Sequence, residues 1–171
     1  MFIKFLKKLF GRGDAASSNK QGGWNAEEGV YYAKGSYDNI AEYNNELICI
    51  GNVMDDYMAD MNAAMDARDY KRAEEVRLKW LAAIPECVVE AEKLGAYKGD
   101  DMLLEALIRH FAVYYDLMEE GYKKLIEFRV AQGYDSAQAT EQETENNNKI
   151  INSAMYFNEV SRAFLAKFHN E

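Results

Sequence analysis

Two histidines, His110 and His169, are the first residues to test for chemistry, because helical chains often build metal sites from histidine and glutamate. A di-iron bundle takes Glu-x-x-His from each of two helices and a further Glu from each of two others. Position 107, three residues before His110, is Leu, and position 166, three before His169, is Ala. No metal or haem ligand set follows. His110 stands next to Phe111 and is expected to be a helix-edge histidine with a local hydrogen bond. The two cysteines, Cys49 and Cys87, fall inside apolar helical patterns, and Cys87 has no nearby base in sequence. Both read as buried thiols acting as small hydrophobes. The G-x-S-x-G and G-x-x-x-x-G-K-[ST] patterns are absent.

Carboxylates are abundant: Asp55, Asp56, Asp60 and Asp66 in one helical stretch, Glu86, Glu90 and Glu92 in the next. Acid–base catalysis needs two carboxylates in contrasting, partly buried environments. These lie off the apolar stripes and read as a solvated acidic face, with a docking surface for a basic partner as the sharper reading. Tyrosine is unusually frequent, at 12 residues. Tyr114 and Tyr115 are adjacent on one helix, so they cannot both face a core. Tyr115 and Tyr122, with Asp55, Asp56 and Asp60, form the candidate partner surface. No catalytic, cofactor-binding or metal residues are expected, and the chain reads as non-enzymatic.

The elements that would carry these residues follow from periodicity. From Ser36, an expected N-cap, apolar residues recur at Tyr37, Ile40, Tyr43, Leu47, Ile50, Met54, Met58, Met61 and Met65, one face of a helix. "DARDY" turns the chain, with Asp69 as the next cap. The second helix shows Ala73, Val76, Trp80, Ile84, Cys87, Ala91 and Leu94, and Pro85 inside it predicts a kink. Asp100 or Asp101 caps the third, whose face is Leu104, Leu107, Phe111, Tyr114, Met118, Gly121, Leu125 and Phe128. Gly121 there implies a close neighbour or a bend. Gly133 ends this helix, and Asp135 or Ser136 caps the last, with Ile150, Ile151, Ala154, Phe157, Val160, Phe164 and Phe168 inward. Its first half, "QATEQETENNN", is almost wholly polar, and so projects, packs loosely or meets a partner.

An offset of 64 residues places Leu47 on Phe111, Met54 on Met118 and "ARDYKRAEEV" on "AQGYDSAQAT". The chain thus reads as two αα-hairpins: an all-α, up-down-up-down four-helix bundle over residues 36–171. Residues 12–35 read as a flexible linker and an aromatic arm, with Trp24, Tyr31 and Tyr32 folding back onto the bundle.

Residues 1–11 are a separate device. The first 20 residues hold five bases and one acid; the remaining 15 bases stand against 28 acids, for a net charge of −9. That acidic body argues against nucleic acid as a partner. At ~100° per residue, Phe2, Ile3, Phe5, Leu6, Leu9 and Phe10 share one arc, and Lys4, Lys7, Lys8 and Arg12 the opposite one. This is the pattern of an interfacial helix. The surface it meets is an anionic membrane, its own bundle, or another subunit in a homo-oligomer. No apolar run approaches the ~20 residues of a membrane span.

"IAEYNNELICIGNVM" at 40–54, "RDYKRAEE", "GDDMLLEALIRHFAVYYDLMEEGYKKLIEF" at 99–128 and the closing "RAFLAKFHNE" together resemble a family of small bacterial surface lipoproteins, found in spirochaetes and in gut Bacteroides-type bacteria. Tyr43-Asn44, the tyrosine-rich third helix, and Phe164, Lys167, His169 and Asn170 carry the likeness. The resemblance implies a helical bundle of unknown biochemical function at an envelope surface. Those lipoproteins begin with a signal peptide and a lipidated cysteine. Here the first cysteine is Cys49 and lysines interrupt the opening apolar residues, which predicts a cytoplasmic protein, peripheral to the inner membrane. The expected function is a non-enzymatic interaction protein that meets the membrane through residues 2–10. The alternative is an acidic immunity- or antitoxin-like protein that neutralises a basic partner.

Overall fold

A computed structural model describes residues 22–27, 29–34 and 37–169, and shows an all-α bundle of four helical rods with one small β-hairpin. The expected cap Ser36 and the amphipathic residues 2–10 lie outside the described residues. The first rod starts later than periodicity implied. Asn39 caps it, its Oδ1 accepting from the N–H groups of Ala41 and Glu42 at 3.0 and 3.1 Å. Tyr37 precedes the helix and packs edge-on against Tyr43, ring centres 4.8 Å apart.

This rod is divided at Asn52 into α1 (Ile40–Gly51) and α2 (Val53–Asp66). The second rod is α3 (Tyr70–Leu94), capped by Asp69, which accepts from Arg72 N–H at 3.0 Å. It runs unbroken through Pro85. One hydrogen bond is lost there, and the fully buried Ile84 and Cys87 on either side hold the helix in place. The third rod comprises α4 (Met102–Asp116), a π-helical turn over Leu117–Gly121, and α5 (Tyr122–Gln132). Asp100 supplies the capping oxygen for Met102 N–H (2.9 Å). Ser136 caps the fourth, α6 (Ala137–Phe168), accepting from Ala139 N–H at 3.3 Å.

The π turn has two causes on either side of it. The buried Arg77 of α3 donates from Nη1 to the Met118 carbonyl at 2.6 Å, an acceptor that the widened turn takes out of the regular ladder. On the opposite side Gly121 lies so close to the Asn146 amide that no Cβ fits between them. The 64-residue offset carries Asn52 to Asp116, the residue before the π turn, so both αα-hairpins are irregular at matching points. Gly121→Ala is expected to cost about 1–3 kcal/mol by overpacking. Urea melts of Gly121→Ala and of Gly121→Ala/Asn146→Ala check this: the second change should restore part of the loss, and an unchanged midpoint for the single variant would contradict the contact.

The core sits mainly among the first three rods, with Phe164 of the fourth closing it against Tyr43 and Tyr97. Tyr43, Leu47, Ile50, Met54, Met61, Trp80, Ile84, Leu107 and Phe111 are fully enclosed. The fourth rod differs from expectation. Only Ala139, Asn146, Phe164 and Phe168 of its 32 residues are buried; Ile151 is 54% exposed and Ile150, Phe157 and Val160 are partly covered. It packs chiefly along the third rod, so one flank of its apolar half faces outward. Its polar half neither projects nor hangs loose. Arg129 of α5, 3% exposed, bonds Glu143 through Nη2 at 2.9 Å and lies 4.1 Å from the Tyr134 ring centre.

The aromatic arm is a β-hairpin, β1 (Gly23–Asn25) antiparallel to β2 (Val30–Tyr32). Two buried carboxylates dock it. Glu90 accepts from Ala33 N–H and Glu46 from Lys34 N–H, each at 3.1 Å. Val30 and Tyr32 are buried beneath it, whereas Trp24 stays 49% exposed rather than folding inward.

Candidate functional site

Docking the hairpin against α2 and α3 leaves a cleft of about 600 Å³. Trp24, Glu27 and Tyr32 form the hairpin side; Asp56, Tyr57 and Asp60 come from α2; Lys79 and Glu86 come from α3. The local sequence explains each wall. Asp56 and Asp60 are four residues apart and share one helix face. Ala82 and Ala83 give a floor low enough for the hairpin to approach. Gly29 turns the hairpin at φ 65° and lies directly against the Tyr57 hydroxyl, where a side chain would clash. Tyr57 in turn stacks on the buried Trp80 (centres 5.8 Å apart), and this burial pushes its hydroxyl above the ordinary tyrosine range.

Among the described residues the lining therefore combines four carboxylates, one ammonium and three aromatic rings. Carboxylates pair with ammonium or guanidinium groups, and aromatic faces attract the same cations. Asp60 already holds a loose pair with Arg72 at 3.8 Å, on the exposed side of α2. A volume of this size lies within the range of sites that bind small ligands or several side chains.

The candidate surface residues separate. Asp56 and Asp60 line the cleft. Asp55 is exposed but points elsewhere, its carboxyl raised by partial desolvation and then by Asp56. Tyr115 is half-buried against the core. Tyr122 is not on a surface at all: it is 5% exposed, with its hydroxyl 3.4 Å from the Met58 sulfur. Tyr122 follows the buried Met118 by four residues and precedes the buried Leu125 by three, so it shares their face. Glu90, read as solvated, is the buried clamp of the hairpin. Sequence reasoning also missed Glu46, whose partner lies 12 residues away in a segment with no helical periodicity.

His110 sits beneath a second groove, between α4 and α6. Its Nδ1 lies 2.7 Å from Ser153 Oγ, a long-range contact rather than a local one, and its ring meets Tyr114 and Phe157. Burial lowers its pKa to about 4. The groove, about 390 Å³, is lined by Arg109, Val113, Asp116, Lys149 and Tyr156 with mixed charge. Cys87 is fully buried, and desolvation pushes its thiol up to about 12, which removes the thiolate a nucleophile needs. Among the described residues no group of three or more His, Cys, Asp or Glu is placed to hold a metal ion, and no helix is long and apolar enough to cross a membrane.

No family model, no curated protein and no solved structure matches this chain.

Proposed function

We propose that this chain is a non-enzymatic interaction protein whose acidic, aromatic-walled cleft receives a basic segment of a protein partner. The observation that carries the reading is the meeting of Glu27, Asp56, Asp60 and Glu86 around Trp24, Tyr32 and Tyr57. An acidic body speeds the approach of a basic partner, and the aromatic walls hold its cations at short range. An immunity- or antitoxin-like role, covering a small basic protein, fits this chemistry.

The test is affinity capture on the full chain beside its Asp56→Lys/Asp60→Lys variant, with matching far-UV dichroism as the folding control. The expected result is one stoichiometric basic protein, held by the wild type, lost from the variant and released by salt. Equal recovery on both chains, or no stoichiometric partner, sinks the reading.

A second reading concerns residues 2–10. The complete separation of their apolar and basic residues around a helical wheel favours peripheral contact with an anionic membrane, at the cytoplasmic face. Flotation with vesicles containing an anionic lipid tests it: Lys4→Glu/Lys7→Glu/Lys8→Glu should abolish flotation of the full chain, and unchanged flotation would overturn it.

A further inference from the structure

The cleft opens beside the first strand of the hairpin. Trp24, on its wall, follows Arg12 by only a dozen residues. The segment ending at Arg12 has the composition that the cleft lacks. Residues 1–12 carry Lys4, Lys7, Lys8 and Arg12 and no acid, alongside Phe2, Phe5 and Phe10. Among the described residues the cleft carries Glu27, Asp56, Asp60 and Glu86 against one base, Lys79, with exposed aromatic surface at Trp24.

The sequence that joins the two, "GDAASSNKQG", is small and polar. Ten such residues have a root-mean-square reach of about 17 Å and a limit of about 35 Å. A tether in this regime holds its end at an effective concentration of about 1 mM near the anchor. Weak contacts then suffice for substantial occupancy.

We infer that residues 2–12 of the chain are an intramolecular occupant of this cleft, with their bases against Asp56, Asp60 and Glu86 and their aromatic rings on the Trp24 wall. This rests on the reading of the cleft as a receptor for basic segments and adds its regulation. A partner must displace the chain's own segment. An anionic membrane that takes the same lysines leaves the cleft open. Partner binding and membrane contact are therefore coupled with positive sign, because each favours the state in which the segment is out of the cleft.

Trp24 supplies the readout. It is 49% exposed and the other tryptophan, Trp80, is fully enclosed, so acrylamide, a neutral quencher, reports on Trp24. The full chain is compared with Lys4→Glu/Lys7→Glu/Lys8→Glu, with Asp56→Lys/Asp60→Lys, and with the combination of both sets. At an affinity near 1 mM about half of the molecules hold the segment in place, so either set alone should raise Trp24 quenching about 1.5- to 2-fold. The combined charge swap should return it to the wild-type value. High salt should bring the wild type to the level of the single sets.

Equal quenching in all four chains overturns the inference. So does a swap that fails to restore protection, since the contact would then lie elsewhere. Protection that vanishes on dilution overturns it too, by assigning the segment to a second copy. The measurement uses purified chain without a partner. Partner capture can therefore fail while Trp24 stays protected, and the cleft can lose its own segment while still capturing a partner.

Discussion

Trp80→Ala is expected to destabilise the chain by about 3–5 kcal/mol, the range for emptying a large buried aromatic site. Trp80 is fully enclosed at the centre of α3. Its ring lies 5.3 Å from Tyr114 on the third rod and 5.8 Å from Tyr57 on the first, and its Nε1–H donates to the Met54 sulfur at 3.2 Å. Three rods therefore meet on one side chain, and none can collapse into the space without moving the others. For a chain of this size the loss corresponds to a fall in melting temperature of about 6–20 °C. Trp80→Phe keeps most of the apolar contact and should lose much less. Urea unfolding of both variants decides the matter; a loss below about 1 kcal/mol for the alanine would mean that the three-rod junction does not carry the core. Because Tyr57 is also a wall of the cleft, the alanine variant should loosen the site as well, seen as increased quenching of Trp24.

The second large effect is on pH dependence, and His110 carries it. In the folded chain its pKa is lowered to about 4 by burial, against 6.5 for the free side chain. Well above pH 6.5 both states hold a neutral imidazole, and the residue adds no pH dependence. Between about 6.5 and 4 the unfolded chain takes up a proton that the folded chain refuses, so stability falls as pH drops. The total is on the order of 3 kcal/mol by the time pH reaches the folded value. His110→Gln removes the titration while keeping a polar group for Ser153. Chemical denaturation at several pH values should show the wild type losing stability across this window faster than the variant. The carboxylates titrate in both chains, so the difference isolates the histidine. Parallel profiles from about pH 7 to 4 would show that His110 is not buried neutral.

Both effects show how unevenly the sequence disclosed the structure. That Trp80 belongs to a core was legible, because Val76, Trp80, Ile84 and Cys87 recur at helical spacing and every one of them is buried. That Tyr57 would stack on it was not, since Tyr57 lies off the apolar stripe read for its helix. His110 was legible as a helix-edge residue, but its partner Ser153 is 43 positions away. Of the residues read as one surface, Asp56 and Asp60 line a cleft, whereas Tyr122 belongs to the core. The hairpin was read only as an aromatic arm. Its strands are three residues each, too short for a period of two to be seen.

The sequence by itself determined the four rods, the cap at Asp69, the pairs of neighbours from which Asp100 and Ser136 cap the last two, and the inward faces of the first three, because caps and periodicity are local properties of a helix. Only the tertiary structure decided which carboxylates are buried, where the third rod widens, and how little of α6 is enclosed. Glu46 and Glu90 are buried because backbone N–H groups from the hairpin reach them. The π turn lies where Arg77 and Asn146 close on it from two other helices. The cleft exists because three elements meet without filling the space between them. Each of these depends on groups far apart in the chain, and no spacing along one segment records the distance between two.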